Sequence, residues 1–501
     1  MRGWREKLSA VLGRILILGF GVQILWGLAF ALSHLGSFQE FRESYFLERV
    51  GKTLICDEYT GILYPFLIRV FQGIGKVVPI PYFSMLYVLQ LALAFRMAWF
   101  FMDSFVRWRR LPAAFKCWAA LSVLTLPMAM QCHLAVLPNS LVSSFFLGEL
   151  GLALRIMGAR GYGAGEASGK TEAALTHGMA EGSAARGLAG MGACFLPATL
   201  LMPEYGLFGG TLLIGVSIYE VLKRGSQSKA AEENWIRRIS GILLVAAVFL
   251  GLGSFLTRLT TREGAYGRIQ KSVEAAAFLR TAWDDFGDLY PDWPKELKDA
   301  LSQEEIALCN QYPLQKEWII GRRVDSVYGR ERAGQIYREM ARVAGEIRFR
   351  RNAKEILKDF ACYVFAPPMQ LLLMEGWGHT TLSGRNFEVM RTEAPRLTTW
   401  YVRYSYTWFL AAFVLSLAMA LLQLEKQFWK RNTLWRGAIL FGGISLVLCL
   451  YYTMRGGGIM DYKNSISVTI LWTVWCCYIA GKEFGGKEGA SGKLEDRDHQ
   501  K

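Results

Sequence analysis

Histidine is scarce in this chain of 501 residues: there are five, they are scattered, and none stands in an HExxH pattern. The nine cysteines show no paired CxxC spacing, and no Ser-His-Asp order of a hydrolase is evident. Charged residues make up only 20% of the chain, whereas hydrophobic residues make up 52%. These shortages argue against a histidine-metal enzyme, a zinc site and an ordinary soluble enzyme, and they predict an integral membrane protein.

The excess of positive charge is the second feature. The net charge is +15, from 57 basic and 42 acidic residues. The basic residues cluster at the ends of apolar segments, as membrane topology requires, and they favour anionic lipid head groups. No basic stretch is interleaved with aromatic residues in the manner of a single-strand binder. We therefore expect membrane lipids, and no nucleic acid, as partners.

Apolar runs long enough for membrane helices recur along the chain. They predict an all-α polytopic membrane protein of about ten transmembrane helices, with a mainly helical extracytoplasmic insertion between the seventh and the eighth. The predicted spans lie near residues 13–34, 81–104, 114–131, 134–156, 188–202, 205–222, 239–258, 404–424, 436–453 and 464–481.

The loops predict the orientation. The N-terminus and the loops after the second, sixth and eighth spans carry clusters of Lys and Arg, whereas the loops near 132 and 203 carry none. Because positive loops stay on the cytoplasmic side, both termini are predicted to be cytoplasmic.

The domain organisation follows from these spans. It comprises an N-terminal membrane bundle (1–258), an extracytoplasmic helical region (259–403), C-terminal membrane helices (404–481) and a disordered cytoplasmic tail (482–501). Within the bundle we expect a first outer loop at 35–59, an interfacial helix at 60–78 and a flexible, Gly/Ala/Ser-rich cytoplasmic loop at 157–187. Within the extracytoplasmic region, helical patterns lie near residues 269–282, 295–311, 330–345 and 351–364.

The first outer loop ends in two adjacent carboxylates, Asp57 and Glu58, at a membrane boundary. Acidic groups there are costly unless they are solvated or paired, and they tend to mark function. Such a carboxylate could act as a general base for a hydroxyl group or bind a divalent metal. The alternative is a pair of surface acids that cap the next helix.

Two basic clusters are candidates for phosphate binding. Arg455 and Lys463 flank three glycines in the last outer loop, and Arg385 and Arg403 lie before the eighth span. Arg binds phosphate in bidentate fashion and Lys as a point charge. The alternatives are a tight turn with boundary anchors for the last loop, and simple lipid head-group contact for the other cluster.

Two ionisable residues, Arg96 and Glu149, lie inside predicted spans. Both are expected to face protein or water rather than lipid. An ion pair between them is one possibility that the sequence leaves open.

The order of these features resembles the GT-C superfamily of polytopic glycosyltransferases, which includes oligosaccharyl, protein-mannosyl and aminoarabinose transferases. The stretches CDEYTGILYPFLIRVFQGIG, SGRNFEVM and GGGIMDYKNS are similar to those of GT-C-like membrane proteins of Gram-positive bacteria. The resemblance implies a bacterial plasma-membrane enzyme that uses a sugar on a polyprenyl phosphate.

The resemblance also implies roles for individual residues. Asp57, or else Glu58, would be the base or a metal-binding residue in an inverting transfer to an extracytoplasmic acceptor. Supporting roles fall to a further set: Tyr59, Asp461, Tyr462 and Arg96. Two other hypotheses stay open, a transporter or flippase of a lipid-linked or anionic substrate, and a non-catalytic membrane scaffold. The sugar, the acceptor and the oligomeric state are not predicted.

Overall fold

The computed structural model describes only part of the chain. The described residues are 2–36, 56–57, 61–109, 113–158, 170–203, 205–225, 244, 246–256, 259, 261–262, 287–311, 316–365, 379–380, 385–386, 400–401, 404, 407–419, 447 and 469–480.

Helices dominate the described part. They are α1 (Arg2–His34), α2 (Leu63–Gly75), α3 (Tyr82–Arg109), α4 (Ala113–Leu124), α5 (Pro127–His133), α6 (Asn139–Gly158), α7 (Lys170–Leu201), α8 (Tyr205–Gly225), α9 (Ala246–Leu256), α10 (Lys295–Ala300), α11 (Gln303–Gln311), α12 (Lys316–Phe365), α13 (Thr407–Met419) and α14 (Thr469–Ala480).

Among the described residues, extended structure is confined to four strands of two residues each. They are β1 (Cys56–Asp57), β2 (Thr261–Arg262), β3 (His379–Thr380) and β4 (Arg385–Asn386). Strand β1 pairs with β2, and β3 pairs with β4 in antiparallel register, with His379 opposite Asn386. The described part is therefore helical apart from these short pairings.

The chain divides into two compact units. The first comprises Met1–Thr261, Met390–Ala438 and Ile470–Lys501, and the second comprises Arg262–Val389 and Ile439–Thr469. The second unit therefore covers most of the region 259–403 that the sequence sets apart as polar.

Helix α1 has one buried face and one exposed apolar face. Leu16, Phe20 and Phe30 are buried inside the first unit. The opposite face exposes large apolar side chains at intervals of three and four residues: Val11, Ile15, Leu18, Val22, Leu25, Leu28 and Leu32. A continuous apolar stripe of this length is unfavourable in water and suits contact with lipid.

Two described helices, Lys7–His34 and Tyr82–Val106, are long and apolar enough to cross a membrane, and six other apolar helices in the described part are shorter. Described helical residues fall within all ten predicted spans, and in the span 436–453 Val447 is the one described residue. The helical character of these segments agrees with the sequence, and the full count of membrane crossings remains a prediction.

Helix α6 lies at the centre of the first unit. It packs against α3, α7 and α8, and almost all of its side chains are buried. Its small residues make this possible: Ser143 and Ser144 donate their hydroxyl groups to the Ser140 carbonyl at 2.9 and 2.7 Å. The helix therefore satisfies its own hydroxyl groups and presents mostly apolar surface to its neighbours.

Two segments differ from the sequence expectations. Helix α7 already begins at Lys170, within the predicted flexible loop 157–187, because the alanines of this stretch have a high helix propensity that outweighs its glycines. The predicted span 114–131 is split into α4 and α5 at Pro127, since proline has no N–H to continue the helix of residues before it.

The second unit has its own apolar core. Trp293 and Leu297 pack against Ile336, Tyr337 and neighbouring side chains of α12. The predicted helix 295–311 is divided in the structure into α10 and α11. Ser302 begins α11 with a capping box, in which the Glu305 N–H donates to the Ser302 hydroxyl and the Ser302 N–H donates to the Glu305 carboxylate.

Helix α12 contains the two segments 330–345 and 351–364, which the sequence predicts to be helical. Its regular geometry is interrupted at Gly329, which has a φ of 72°, and again at Arg348. A positive φ of this size is accessible to glycine at little cost. Three of the predicted segments are thus helical, with different ends, and the fourth, 269–282, lies outside the described residues.

Replacing Trp293 by Ala should loosen the core of the second unit. Trp293 is only 2% exposed, and truncation of a buried aromatic side chain costs about 3–5 kcal/mol. Hydrogen exchange over residues 287–344 of the full-length protein should show a matching fall in the free energy of opening. Phe349→Ala, which removes a side chain that is 62% exposed in the same unit, is the control, and equal exchange in the two variants would contradict this core.

Candidate functional site

The carboxylate-bearing loop ends where strand β1 leads to helix α2. The backbone of Asp57 lies in β1, and Gly61 follows four residues later. The Gly61 N–H donates to the Leu201 carbonyl at 3.1 Å, at the C-terminal end of α7. A Cβ added to Gly61 would lie 1.8 Å from the Leu200 carbonyl oxygen. Only glycine permits this approach, so the residue type fixes the end of the first loop against α7.

Helix α2 packs against α3 and α7. It forms within the predicted interfacial segment 60–78 and buries Tyr64, Pro65 and Ile68. Its other side exposes three large apolar residues, Phe66, Val70 and Ile74. Such a short helix with apolar residues on both sides suits a boundary between protein and lipid, and its interfacial position stays a prediction.

A buried hydrogen-bond network fastens α2 to α3. The Tyr64 hydroxyl donates to Gln90 Oε1 at 2.9 Å. Gln90 Nε2 in turn donates to the backbone carbonyls of His133 and Ala135 at 2.8 and 3.0 Å, and to that of Cys132 at 3.3 Å. One amide side chain thereby joins α2, α3 and the turn between α5 and α6.

His133 belongs to the same turn and is buried. Its Nδ1 lies 2.7 Å from the Ser140 hydroxyl, which belongs to the first turn of α6. Burial together with this local bond gives His133 a structural role.

A second buried pair joins α6 to the first residue of α8. Glu149 is 0% exposed, and its Oε2 accepts a hydrogen bond of 2.6 Å from the Tyr205 hydroxyl. Arg96, the other ionisable residue singled out in a span, is exposed on α3. The partner of Glu149 among the described residues is therefore Tyr205.

The predicted site residues are described unequally. Asp57 and Arg385 are described through the backbone, in β1 and β4. Seven others lie outside the described residues: Glu58, Tyr59, Arg403, Arg455, Asp461, Tyr462 and Lys463. Their assembly with Asp57 into one site remains a prediction.

A metal centre was predicted as one use of the Asp57 and Glu58 pair. Across the described ranges, no three His, Cys, Asp or Glu side chains come together in a group that could hold a metal ion. Glu58 and the Asp57 side chain are not among the described features, so a divalent metal at this pair stays a prediction.

Sequence reasoning missed Gly61, Tyr64 and Gln90. A signal for Gln90 was present, because an uncharged polar residue in the middle of an apolar span needs a buried partner. Gly61 carried no comparable signal, since its role depends on a carbonyl group 140 positions later in the chain.

Comparisons with known proteins give no family assignment. No protein-family model matches the chain, and no curated protein matches it. Two solved structures are similar to it over most of its length. The crystal structure of ArnT from Cupriavidus metallidurans bound to undecaprenyl phosphate has 13% identity and a TM-score of 0.32, covering 97% of this chain and 80% of that one. The apo structure of the same protein has 12% identity and a TM-score of 0.28, covering 94% and 76%. These scores are too low to establish a shared fold.

Gly61→Ala should displace the end of the first loop, because its new methyl group would overlap the Leu200 carbonyl. Gly73→Ala is the matched control, since nothing lies within 4 Å of a Cβ added there. Thermal unfolding of the purified full-length protein in detergent should show a loss of stability for Gly61→Ala, of about 1–3 kcal/mol for overpacking. Gly73→Ala should not lose stability, because alanine favours a helix. A stable Gly61→Ala variant would refute the close approach.

Gln90→Leu should also destabilise the protein. It leaves the Tyr64 hydroxyl without its acceptor and three backbone carbonyls without their shared donor, and each buried unsatisfied group costs about 1–3 kcal/mol. Gln72→Leu, at a half-buried position of α2, provides the control in the same thermal assay. Equal thermal stability of Gln90→Leu and Gln72→Leu would show that the hydrogen-bond network of Gln90 does not stabilise the protein.

Proposed function

We propose that this protein is a membrane-embedded glycosyltransferase that moves a sugar from a polyprenyl-phosphate donor to an extracytoplasmic acceptor. The observation that carries the proposal is the anchoring of the Asp57 segment. An acidic loop end is tied to α7 through the backbone of Gly61, beside helices with an exposed apolar surface. The resemblance of the sequence to the GT-C superfamily supplies the reaction class.

The proposed mechanism is a single displacement. Asp57, or else Glu58, accepts the proton of the acceptor hydroxyl group as its oxygen attacks the anomeric carbon of the sugar. The bond between that carbon and the lipid phosphate breaks, and the phosphate leaves. Because no covalent intermediate forms, the configuration at the anomeric carbon is inverted.

The leaving phosphate requires positive charge. Four residues are proposed to supply it: Arg455, Lys463, Arg385 and Arg403. Arginine matches the phosphate oxygens in a bidentate geometry. A divalent metal held by Asp57 and Glu58 would neutralise charge at the same place.

The main alternative is a transporter or flippase. It would draw on ionisable groups inside the membrane, in particular Arg96 and Glu149. In the described part, Arg96 is exposed and Glu149 is hydrogen-bonded to Tyr205. Arg96 and Glu149 therefore do not form the ion pair that would favour the transporter hypothesis. The scaffold and transferase hypotheses differ in what they predict for substitutions at Asp57. A non-catalytic scaffold would tolerate them, whereas a transferase would lose activity.

Asp57→Asn should abolish sugar transfer without unfolding the protein. Removal of a general base lowers the rate by about 10²–10⁴-fold, while an amide of the same shape keeps the packing. The measurement is release of polyprenyl phosphate from a sugar-linked lipid by the purified protein in detergent. Asp299→Asn changes an exposed aspartate of the second unit and should retain wild-type rates. Full activity of Asp57→Asn would assign the base to Glu58 if Glu58→Gln is inactive, and would overturn the transferase proposal if both variants are active.

A further inference from the structure

Among the described residues, Glu149 is the most deeply buried acidic group that the proposed reaction does not use. It lies within α6, is 0% exposed, and has no cationic partner among the described residues. Its Oε1 atom has no hydrogen-bond partner there. A carboxyl group in such surroundings carries a large desolvation cost. The single bond from the Tyr205 hydroxyl at 2.6 Å is the interaction that compensates it.

Neighbouring residues pack closely around the hydrogen bond between Tyr205 and Glu149. A Cβ added to Gly209, one turn after Tyr205 on α8, would lie 2.6 Å from Tyr205 Cε1 and 3.1 Å from Glu149 Oε2. The Phe146 ring of α6 meets the Tyr205 ring edge to face, with centroids 6.2 Å apart. The tyrosine is thus confined between α6 and its own helix, with its hydroxyl group directed at the carboxylate.

Tyr205 is also the first residue of α8, and its backbone belongs to the turn after α7. The Tyr205 N–H donates to the Met202 carbonyl at 2.9 Å, and the Met202 N–H donates to the Ala198 carbonyl at 2.9 Å. The Leu201 carbonyl of this turn accepts the bond from Gly61. A continuous set of contacts therefore leads from Glu149 through Tyr205 to the end of the Asp57 loop.

We propose that Glu149 is a positioning residue, which holds residues 201–203 at the end of α7 through Tyr205 and so fixes the support for the Asp57 loop. Glu149 acts as a hydrogen-bond acceptor, not as a proton carrier or a ligand for substrate. The effect on sugar transfer rests on the proposed function, whereas the effect on the loop does not. The two are therefore measured separately.

The first readout is hydrogen exchange in the peptide that contains Gly61, measured on the full-length protein in detergent. Tyr205→Phe removes the hydroxyl group with little change in shape, and Glu149→Leu removes the acceptor. Both should speed exchange of this peptide by about tenfold or more, as expected for loss of a buried hydrogen bond. Glu149→Gln keeps an acceptor oxygen and should stay within about threefold of wild type.

Ser217→Ala is the matched control for Tyr205→Phe. It also removes one buried hydroxyl group from α8, but that group donates to Leu213 within its own helix at 2.7 Å. Exchange at Gly61 should be unchanged in this variant. A rise equal to that of Tyr205→Phe would mean that general loosening of α8 is the cause, and would overturn the proposal.

The second readout is sugar transfer by the same variants. Tyr205→Phe and Glu149→Leu should lower kcat about tenfold or more with little change in the KM for the donor, and Glu149→Gln should restore it. If Glu149→Gln is as inactive as Glu149→Leu, an ionisable group is required and the positioning role is wrong. Unchanged exchange at Gly61 in Tyr205→Phe would also refute it. If the wild-type protein transfers no sugar but Tyr205→Phe and Glu149→Leu still exchange faster at Gly61, the positioning role is supported. In that case only the proposed function is overturned.

Discussion

The backbone contact between Gly61 and the last residues of α7 is the constraint on which this end of the bundle depends. No side chain fits between Gly61 and the Leu200 carbonyl, so the chain is fixed there by shape as well as by its bond to Leu201. Asp57 lies four residues away, and four extended residues span at most about 14 Å. The backbone of Asp57 is therefore kept within this distance of the backbone of Gly61, whatever path the intervening residues take.

Buried polar groups then connect this contact to the rest of the first unit. Gln90 joins α2 and α3 to the turn before α6, and Glu149 joins α6 to the start of α8. Between apolar helices an unpaired polar group is costly, so each of these side chains has few alternative arrangements. Both reach backbone or side chains next to turns, which gives the turns a defined position relative to the helices.

The sequence predicts this architecture unevenly. Long apolar runs predict the helices, because burial of a helix in lipid or protein depends mainly on composition and length. The break at Pro127 was visible in the sequence and was overlooked, and the helix from Lys170 was hidden by the glycines around its alanines. The partner of Glu149 lies 56 positions away, and no local pattern identifies it. Ionisable residues in apolar spans can be recognised from sequence, whereas their partners require the packed structure.

The central claim is that the Asp57 loop serves a sugar transfer at the membrane. The most direct measurement is a profile of surface glycans and lipid-linked sugars in cells that lack the protein. The account predicts that one surface sugar disappears, that its polyprenyl-linked precursor accumulates, and that the wild-type chain restores both while Asp57→Asn does not. Unchanged glycans and lipid-linked sugars in the deleted cells, or full restoration by both Asp57→Asn and Glu58→Gln, would contradict it.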